Sequence, residues 1–149
     1  GVKTNVSPIQ FKIAKTIHPI IPSLTLNNSI DPALLSHDAQ EVQKYKDDPL
    51  VHPKVSLRLF FEMLRNGDEC LPKAAQINIP ILLLVGDDDQ IIDIEKAKLA
   101  FDMLPNPDSK IVIFEDMYHE IFNEIDRERV MNYTKTWLQT QIAETAKAV

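Results

Sequence analysis

The stretch that decides the fold class is ILLLVGDDD, residues 81–89, in which a continuous apolar run ends in one glycine and three aspartates. A strand that is apolar at every position is expected where helices cover both faces of a parallel sheet. Further along, residues 94–104 have a helical pattern and residues 110–114 form a second β-branched run. Residues 77–149 are therefore predicted to contain a βαβ unit of the α/β class, followed by an amphipathic helix over residues 126–143.

The first half of the chain, residues 1–76, has a different composition. It contains seven of the ten prolines, and proline breaks helices and is excluded from the interior of sheets. This region is predicted to form an irregular helical subdomain. Ser36 is expected to cap a helix that runs through Val42. Ser56 is expected to open a second helix, which Gly67 closes.

Charge and composition exclude several classes of function. The formal net charge is −6, and 16 basic residues are interspersed with 22 acidic ones, so no nucleic-acid partner is predicted. The longest apolar stretch, residues 79–85, is far shorter than the roughly 20 residues of a transmembrane helix. A single cysteine, Cys70, allows no internal disulfide and no Cys-x-x-Cys metal motif, which favours a cytoplasmic location and no metal. Three glycines leave no glycine-rich phosphate loop, and no cofactor is expected.

The predicted sheet is incomplete. A doubly wound domain needs several parallel strands with helices on both faces, and residues 77–149 supply two. The first residue is not methionine, and residues 1–8 have the pattern of a segment entered in mid-protein. Either a missing N-terminal half or a second copy of the chain is expected to pair with the open edge of the sheet.

Two loops that follow the predicted strands carry groups suited to acid–base chemistry. Asp89 follows the first strand by way of Gly86, and His119 lies on the loop after the second, thirty residues further on. Because neighbouring parallel strands end at the same edge of a sheet, the two side chains are expected to meet. A carboxylate that accepts an imidazole N–H fixes the tautomer and stabilises the imidazolium that forms when the other nitrogen deprotonates a serine.

At these residues the sequence resembles monoacylglycerol lipases and bacterial lysophospholipases of the α/β-hydrolase family. IPILLLVGDDD, residues 79–89, is similar to their acid-bearing strand and loop, and FEDMYHE, residues 114–120, is similar to their histidine loop. DPLVH, residues 48–52, together with LRLFFE, residues 57–62, resembles their cap. The resemblance runs from about residue 24 to the end of the chain.

The resemblance implies a fold and two site residues. Residues 1–76 would form a helical cap or lid, and residues 77–149 the C-terminal portion of an α/β-hydrolase fold with an incomplete sheet. Asp89 would be the acid and His119 the base of a serine triad. The chain departs from the family because the nucleophile motif Gly-x-Ser-x-Gly and the glycine-containing oxyanion loop are absent from its sequence. The nucleophilic serine is therefore expected outside this chain, which alone should be inactive.

Several of these side chains also have ordinary structural interpretations. Asp93 is expected to cap the helix that follows it, and its neighbours would also suit a plain acidic loop. A calcium loop fits poorly, because no glycine or glutamate stands in register for one. His52 lies between prolines and is expected to be structural, whereas His18 and His37 receive no functional role.

Phe60, Phe61 and Leu64 lie on one apolar stripe. Such a stripe is by default core between cap and sheet, and it also suits the wall of a substrate-binding pocket, since each buried CH₂ contributes about 0.8 kcal/mol.

The resemblance implies that the whole protein hydrolyses a monoacylglycerol, a lysophospholipid or a similar acyl ester. Because such substrates are found in bilayers, peripheral association with membranes stays open. Two alternatives also stay open. One is a non-catalytic module that associates through its exposed sheet edge. The other is a different α/β-hydrolase chemistry, such as that of a peptidase, a thioesterase or an epoxide hydrolase.

Overall fold

The computed structural model describes residue 3 and residues 6–28 and 30–147. Five α-helices lie in this part of the chain: α1 (Pro8–Ile17), α2 (Ala39–Asp47), α3 (Leu57–Lys73), α4 (Ile94–Asp102) and α5 (Arg127–Lys147). Four strands accompany them: β1 (Thr25–Asn27), β2 (Lys54–Ser56), β3 (Leu82–Gly86) and β4 (Lys110–Phe114). Short 3-10 helices are found at Pro32–Leu34, Ala74–Gln76 and Ile121–Asn123.

β3 and β4 form a two-stranded parallel sheet, which confirms the α/β class. Leu82 lies opposite Lys110, and the register continues to Gly86 opposite Phe114. The strands are connected through α4, as a parallel pair requires a crossover and cannot be joined by a hairpin. The cap predicted for this helix is confirmed, since the carboxylate of Asp93 accepts the backbone N–H of Lys96 at 3.3 Å.

The hydrophobic core of this sheet lies between β4 and α5. Four buried side chains form it: Phe114, Met117, Ile121 and Val130. Two of the four, Met117 and Ile121, come from the loop between β4 and α5, which also carries His119. Burying each such side chain contributes about 1.5–3 kcal/mol. The core therefore anchors this loop on both sides of His119.

The N-terminal region, defined here as residues 6–28 and 30–76, also contains a strand pair that the sequence analysis did not predict. β1 and β2 are antiparallel, with Thr25 opposite Ser56 and Asn27 opposite Lys54. Each strand has only three residues. So short a segment does not reveal the alternation of apolar and polar residues by which a strand is recognised.

The first helix boundary predicted in this region is wrong, because α2 is capped by Asp38 and not by Ser36. The Asp38 carboxylate accepts the backbone N–H of Gln40 at 2.9 Å. The hydroxyl of Ser36 is engaged elsewhere. It donates to the carbonyl of Asn123 and accepts the backbone N–H of Asp38, both at 2.9 Å.

α3 begins as predicted, but it does not end at Gly67. The hydroxyl of Ser56 caps it by accepting the backbone N–H of Leu59 at 3.1 Å. The helix then continues through Gly67 to Lys73, because one glycine costs only about 1 kcal/mol relative to alanine. Ion pairs three and four residues apart on either side of it also support the helix: Arg65 with Glu62 and Glu69, and Lys73 with Glu69.

Gly86 and Gly67 provide a matched pair of substitutions. A Cβ at Gly86 would overlap the carbonyl oxygen of Met117 and lie 2.5 Å from that of Tyr118, whereas nothing lies within 4 Å of one at Gly67. We expect Gly86→Ala to lower the free energy of unfolding by about 2–3 kcal/mol. Gly67→Ala should raise it by about 0.5–1 kcal/mol. Urea unfolding measures both, and effects of the same sign would contradict the close approach at Gly86.

Candidate active site

The loop after β3 is bonded directly to the loop after β4. Gly86, which has no side chain to hold the backbones apart, ends β3 at this point. The backbone N–H of Asp87 donates to the carbonyl of Phe114 at 2.9 Å, and that of Asp88 donates to the carbonyl of Met117 at 3.1 Å. Main-chain hydrogen bonds therefore fix the spacing of the two loops independently of the side chains that they carry.

The side chains of Asp89 and His119 meet across these loops. The Oδ2 atom of Asp89 lies 2.8 Å from Nδ1 of His119. The other carboxylate oxygen, Oδ1, accepts the backbone N–H groups of Ile91 at 2.7 Å and Ile92 at 3.0 Å. Only 2% of the Asp89 side chain is exposed, against 35% of the His119 side chain. The carboxylate is therefore buried and held in place, whereas the imidazole reaches the surface.

Such a pair can transfer protons. With the carboxylate at Nδ1, the hydrogen-bonding pattern favours the tautomer of His119 that carries its proton on Nδ1. The lone pair of Nε2 is then available, and among the described residues the Asp89 carboxylate is the one hydrogen-bond partner of the imidazole. The arrangement can accept a proton at Nε2 and stabilise the resulting imidazolium through Asp89.

The other aspartates after β3 take no part in this pair. Asp87 and Asp88 are exposed, and Asp93 caps α4. In the part of the chain that the structure describes, no group of three or more His, Cys, Asp or Glu side chains is placed to hold a metal ion. The calcium interpretation, already the poorer one, gains no support from this geometry.

Four of the described serine hydroxyls form hydrogen bonds that stabilise the fold. Ser7 and Ser56 each cap a helix. Ser36 donates to a backbone carbonyl, and Ser109 accepts a backbone N–H. Within residues 6–28 and 30–147, none of the serines is hydrogen-bonded to His119.

A second buried carboxylate, which the sequence analysis did not single out, lies on the histidine loop, defined here as residues 115–124. Only 2% of the Glu124 side chain is exposed. Its oxygens accept the backbone N–H groups of Tyr118 at 2.8 Å and of His37 and Ile125, each at 3.2 Å. Burial by itself would raise the pKa of Glu124. The hydrogen bonds from Tyr118, His37 and Ile125 outweigh burial and hold this pKa below its ordinary value.

His37, to which the sequence analysis gave no role, is the side-chain partner of this carboxylate. Its Nδ1 lies 2.9 Å from Oε1 of Glu124. Its ring stacks on that of Tyr118, with centroids 3.7 Å apart. A contact between residues 87 positions apart has no local pattern in the sequence, so neither spacing nor periodicity could have revealed it.

An open cavity of about 1570 Å³ lies beside α3 and the β3–α4 unit. All three side chains of the predicted apolar stripe, Phe60, Phe61 and Leu64, line it. The rings of Phe60 and Phe61 pack edge to face with centroids 5.3 Å apart. The lining reaches the residue after Asp89 but includes neither Asp89 nor His119.

Comparison with known proteins shows the family to which the chain belongs. The family model described as serine aminopeptidase, S33 (Hydrolase_4) matches residues 1–126. The chain belongs to this α/β-hydrolase family. The resemblance to monoacylglycerol lipases is confirmed, because two proteins similar to this Hydrolase_4 chain are named monoacylglycerol lipase.

Three similar proteins show how much of the family's length this Hydrolase_4 chain spans. The crystal structure of Paleococcus ferrophilus monoacylglycerol lipase matches with a TM-score of 0.82 at 35% identity, over 91% of this chain and 54% of that one. The monoacylglycerol lipase of Mycolicibacterium smegmatis is 28% identical over 92% of this chain and 49% of its own length. An uncharacterized abhydrolase domain-containing protein of Dictyostelium discoideum is 35% identical over 95% of this chain and 15% of its own length. The chain thus spans about half the length of the two lipases.

Proposed function

We propose that this chain is the C-terminal part of a serine ester hydrolase that acts on monoacylglycerols, lysophospholipids or similar acyl esters. Asp89 is the acid of its triad, His119 is the base, and the serine lies outside this sequence. The observation that carries the proposal is the 2.8 Å contact between Oδ2 of Asp89 and Nδ1 of His119, beyond two adjacent parallel strands. The names of the two similar lipases support an acyl ester as the substrate.

The reaction has two stages, formation of an acyl-serine and its hydrolysis, and His119 makes two proton transfers in each stage. Its Nε2 takes the proton of the serine hydroxyl as the serine oxygen bonds to the ester carbonyl carbon, and it gives that proton to the departing alcohol as the ester C–O bond breaks. In the second half, Nε2 takes a proton from the water that attacks the acyl-serine and returns it to the serine oxygen as the fatty acid leaves. Asp89 holds the Nδ1–H throughout and stabilises the imidazolium. No cofactor takes part.

The cavity beside α3 supports the choice of an acyl substrate. We assign Phe60, Phe61 and Leu64 to the wall that receives the acyl chain, where each buried CH₂ contributes about 0.8 kcal/mol. Residues 1–76 act as the lid that controls access to this wall, and residues 77–149 form the C-terminal part of the hydrolase core.

The open edge of the sheet supports a partner for this chain. Within the described residues β3 pairs with β4 alone, so its other edge presents unpaired N–H and C=O groups. We assign that edge to the preceding half of the same protein, which also supplies the serine. None of the described helices is both long and apolar enough to cross a bilayer. The exposed free thiol of Cys70 suits a reducing compartment, so we place the protein in the cytoplasm, where an acyl-ester substrate would allow peripheral association with membranes.

Two other functions each have one observation in their favour. The open edge of β3 would equally serve a non-catalytic module that pairs with a second copy of the chain. The description of the matching family as a serine aminopeptidase favours an amide substrate, because peptidases and esterases of this fold use the same acid and base.

The test compares the 149-residue chain with a longer natural protein that contains it. We expect a serine-directed fluorophosphonate to label the longer protein alone, and that protein to prefer a long-chain monoacylglycerol over a short-chain ester and an amino-acid amide. Preference for the amide would assign a peptidase instead. Hydrolysis by the 149-residue chain would place the nucleophile within it. If neither protein is labelled and the chain has the mass of a dimer, the interaction module is the function.

A further inference from the structure

Two pairs of a histidine and a carboxylate share the histidine loop. His119 lies 2.8 Å from Asp89, and His37 lies 2.9 Å from Glu124. In each pair the imidazole side chain is 35% exposed and the carboxylate side chain 2%. The reaction proposed above uses the first pair and not the second. The position of Glu124 indicates its role, because it is bonded to the residue directly before His119.

Glu124 binds the backbone at two points, directly before His119 and just beyond the end of the histidine loop. Its Oε1 accepts the N–H of Tyr118 at 2.8 Å, and its Oε2 accepts the N–H of Ile125 at 3.2 Å. The loop therefore folds around one buried carboxylate. Rotation of that carboxylate would break both bonds and leave these part-buried N–H donors without their partner.

The same carboxylate joins the histidine loop to the N-terminal region. His37 donates its backbone N–H at 3.2 Å and presents Nδ1 at 2.9 Å, while its ring stacks on that of Tyr118. Two parallel contacts run beside it: the Ser36 hydroxyl donates to the carbonyl of Asn123 at 2.9 Å, and the Glu120 N–H donates to the carbonyl of Leu35 at 2.8 Å.

We propose that Glu124 is a positioning residue for this reaction: through the Tyr118 N–H and His37 it holds His119 against Asp89. The proposal rests on the proposed function, and Glu124 itself touches neither the substrate nor the reacting atoms. The two residues of the pair depend on different supports. Asp89 is held by its own backbone donors after β3, so loss of Glu124 leaves this carboxylate in place. It loosens the backbone directly before His119, between the core anchors Met117 and Ile121.

Glu124→Gln tests this with almost no change in volume. Both oxygens of Glu124 accept N–H groups, so the amide NH₂ of glutamine must face at least one donor. We expect kcat of the longer protein to fall about 10- to 100-fold, since misplacing a group by about 1 Å or removing its orienting partner has effects of this size. KM should change less than about twofold, because the acyl-binding wall is untouched.

A second variant covers the case in which Glu124→Gln does not fold. His37→Phe keeps a ring against Tyr118 and keeps the backbone N–H bond, but it removes the 2.9 Å contact with Oε1. We expect a smaller fall in kcat, about three- to tenfold. Glu115→Gln is the matched control, because Glu115 is an exposed glutamate on the same loop, and its kcat should stay within twofold of the parent.

The independent readout is the ¹H NMR signal of the imidazole Nδ1–H proton in the longer protein, assigned by its loss in His119→Ala. A proton held between His119 and Asp89 gives a sharp, strongly deshielded signal, and we expect it to broaden or vanish in Glu124→Gln and His37→Phe but to persist in Glu115→Gln.

If the folded variants keep both this signal and kcat while only their melting temperatures fall, Glu124 is purely structural and the proposal is wrong. If no serine in the longer protein is labelled, the proposed reaction fails, and the NMR signal still decides whether Glu124 positions His119.

Discussion

Replacing His119 with alanine is expected to lower kcat of the longer protein by about 10⁴- to 10⁶-fold, the range found when the base of a serine triad is removed. The variant loses every proton transfer at Nε2, while the carboxylate of Asp89 stays fixed by Ile91 and Ile92. Hydrolysis of a monoacylglycerol under saturating substrate measures the loss, and the rate of fluorophosphonate labelling should fall in parallel.

His52→Ala provides the control for that experiment. His52 is exposed, and its Nδ1 accepts the backbone N–H of Lys54 at 3.3 Å, so the same substitution there should leave kcat within about twofold. A His119→Ala variant that is folded and retains more than about one hundredth of the parent kcat would show that another group is the base.

Asp89→Asn is expected to lower kcat about 10⁴-fold with little change in stability. The amide oxygen can still accept the N–H groups of Ile91 and Ile92 that now bond to Oδ1. The amide NH₂ then faces Nδ1 of His119 and donates to it, so the imidazole carries its proton on Nε2, where the serine proton should be received. The effect therefore appears in kcat and not in the unfolding midpoint.

The neighbouring Asp88→Asn is the matched substitution. Asp88 is exposed, and its main-chain bond to Met117 does not involve the side chain, so we expect kcat to change less than about twofold. Equal losses in the two variants would mean that the general negative charge of the loop matters, and not the contact at His119. Urea unfolding of both proteins separates a loss of stability from a loss of chemistry.

The parts of the fold that follow from local chemistry could be predicted. Residues 81–85 are apolar at every position, a pattern typical of a short strand covered on both faces. Asp93 precedes a helical pattern with a side chain suited to capping it. The pairing of Asp89 with His119 followed from the topology, because both residues come directly after neighbouring parallel strands.

Features decided by distant contacts could not be predicted. Ser36 and Asp38 are both good capping residues, and the choice between them depends on the carbonyl of Asn123, which binds the Ser36 hydroxyl. Glu124 is a charged residue, and a glutamate ordinarily occupies a solvated position. Its burial depends on backbone N–H groups of His37 and Tyr118, which lie far apart in the sequence. The composition around Glu124 does not reveal these contacts.

The distance in sequence between His37 and Glu124 also affects how the protein is made. The two residues are 87 positions apart, whereas Asp89 and His119 are 30 apart. At the roughly 5–20 residues per second of translation, His37 is synthesised about 4 to 17 seconds before the carboxylate that will bind it. The N-terminal region is therefore synthesised before the carboxylate that will bind it, and slow translation of the intervening codons would lengthen its exposure to chaperones and proteases.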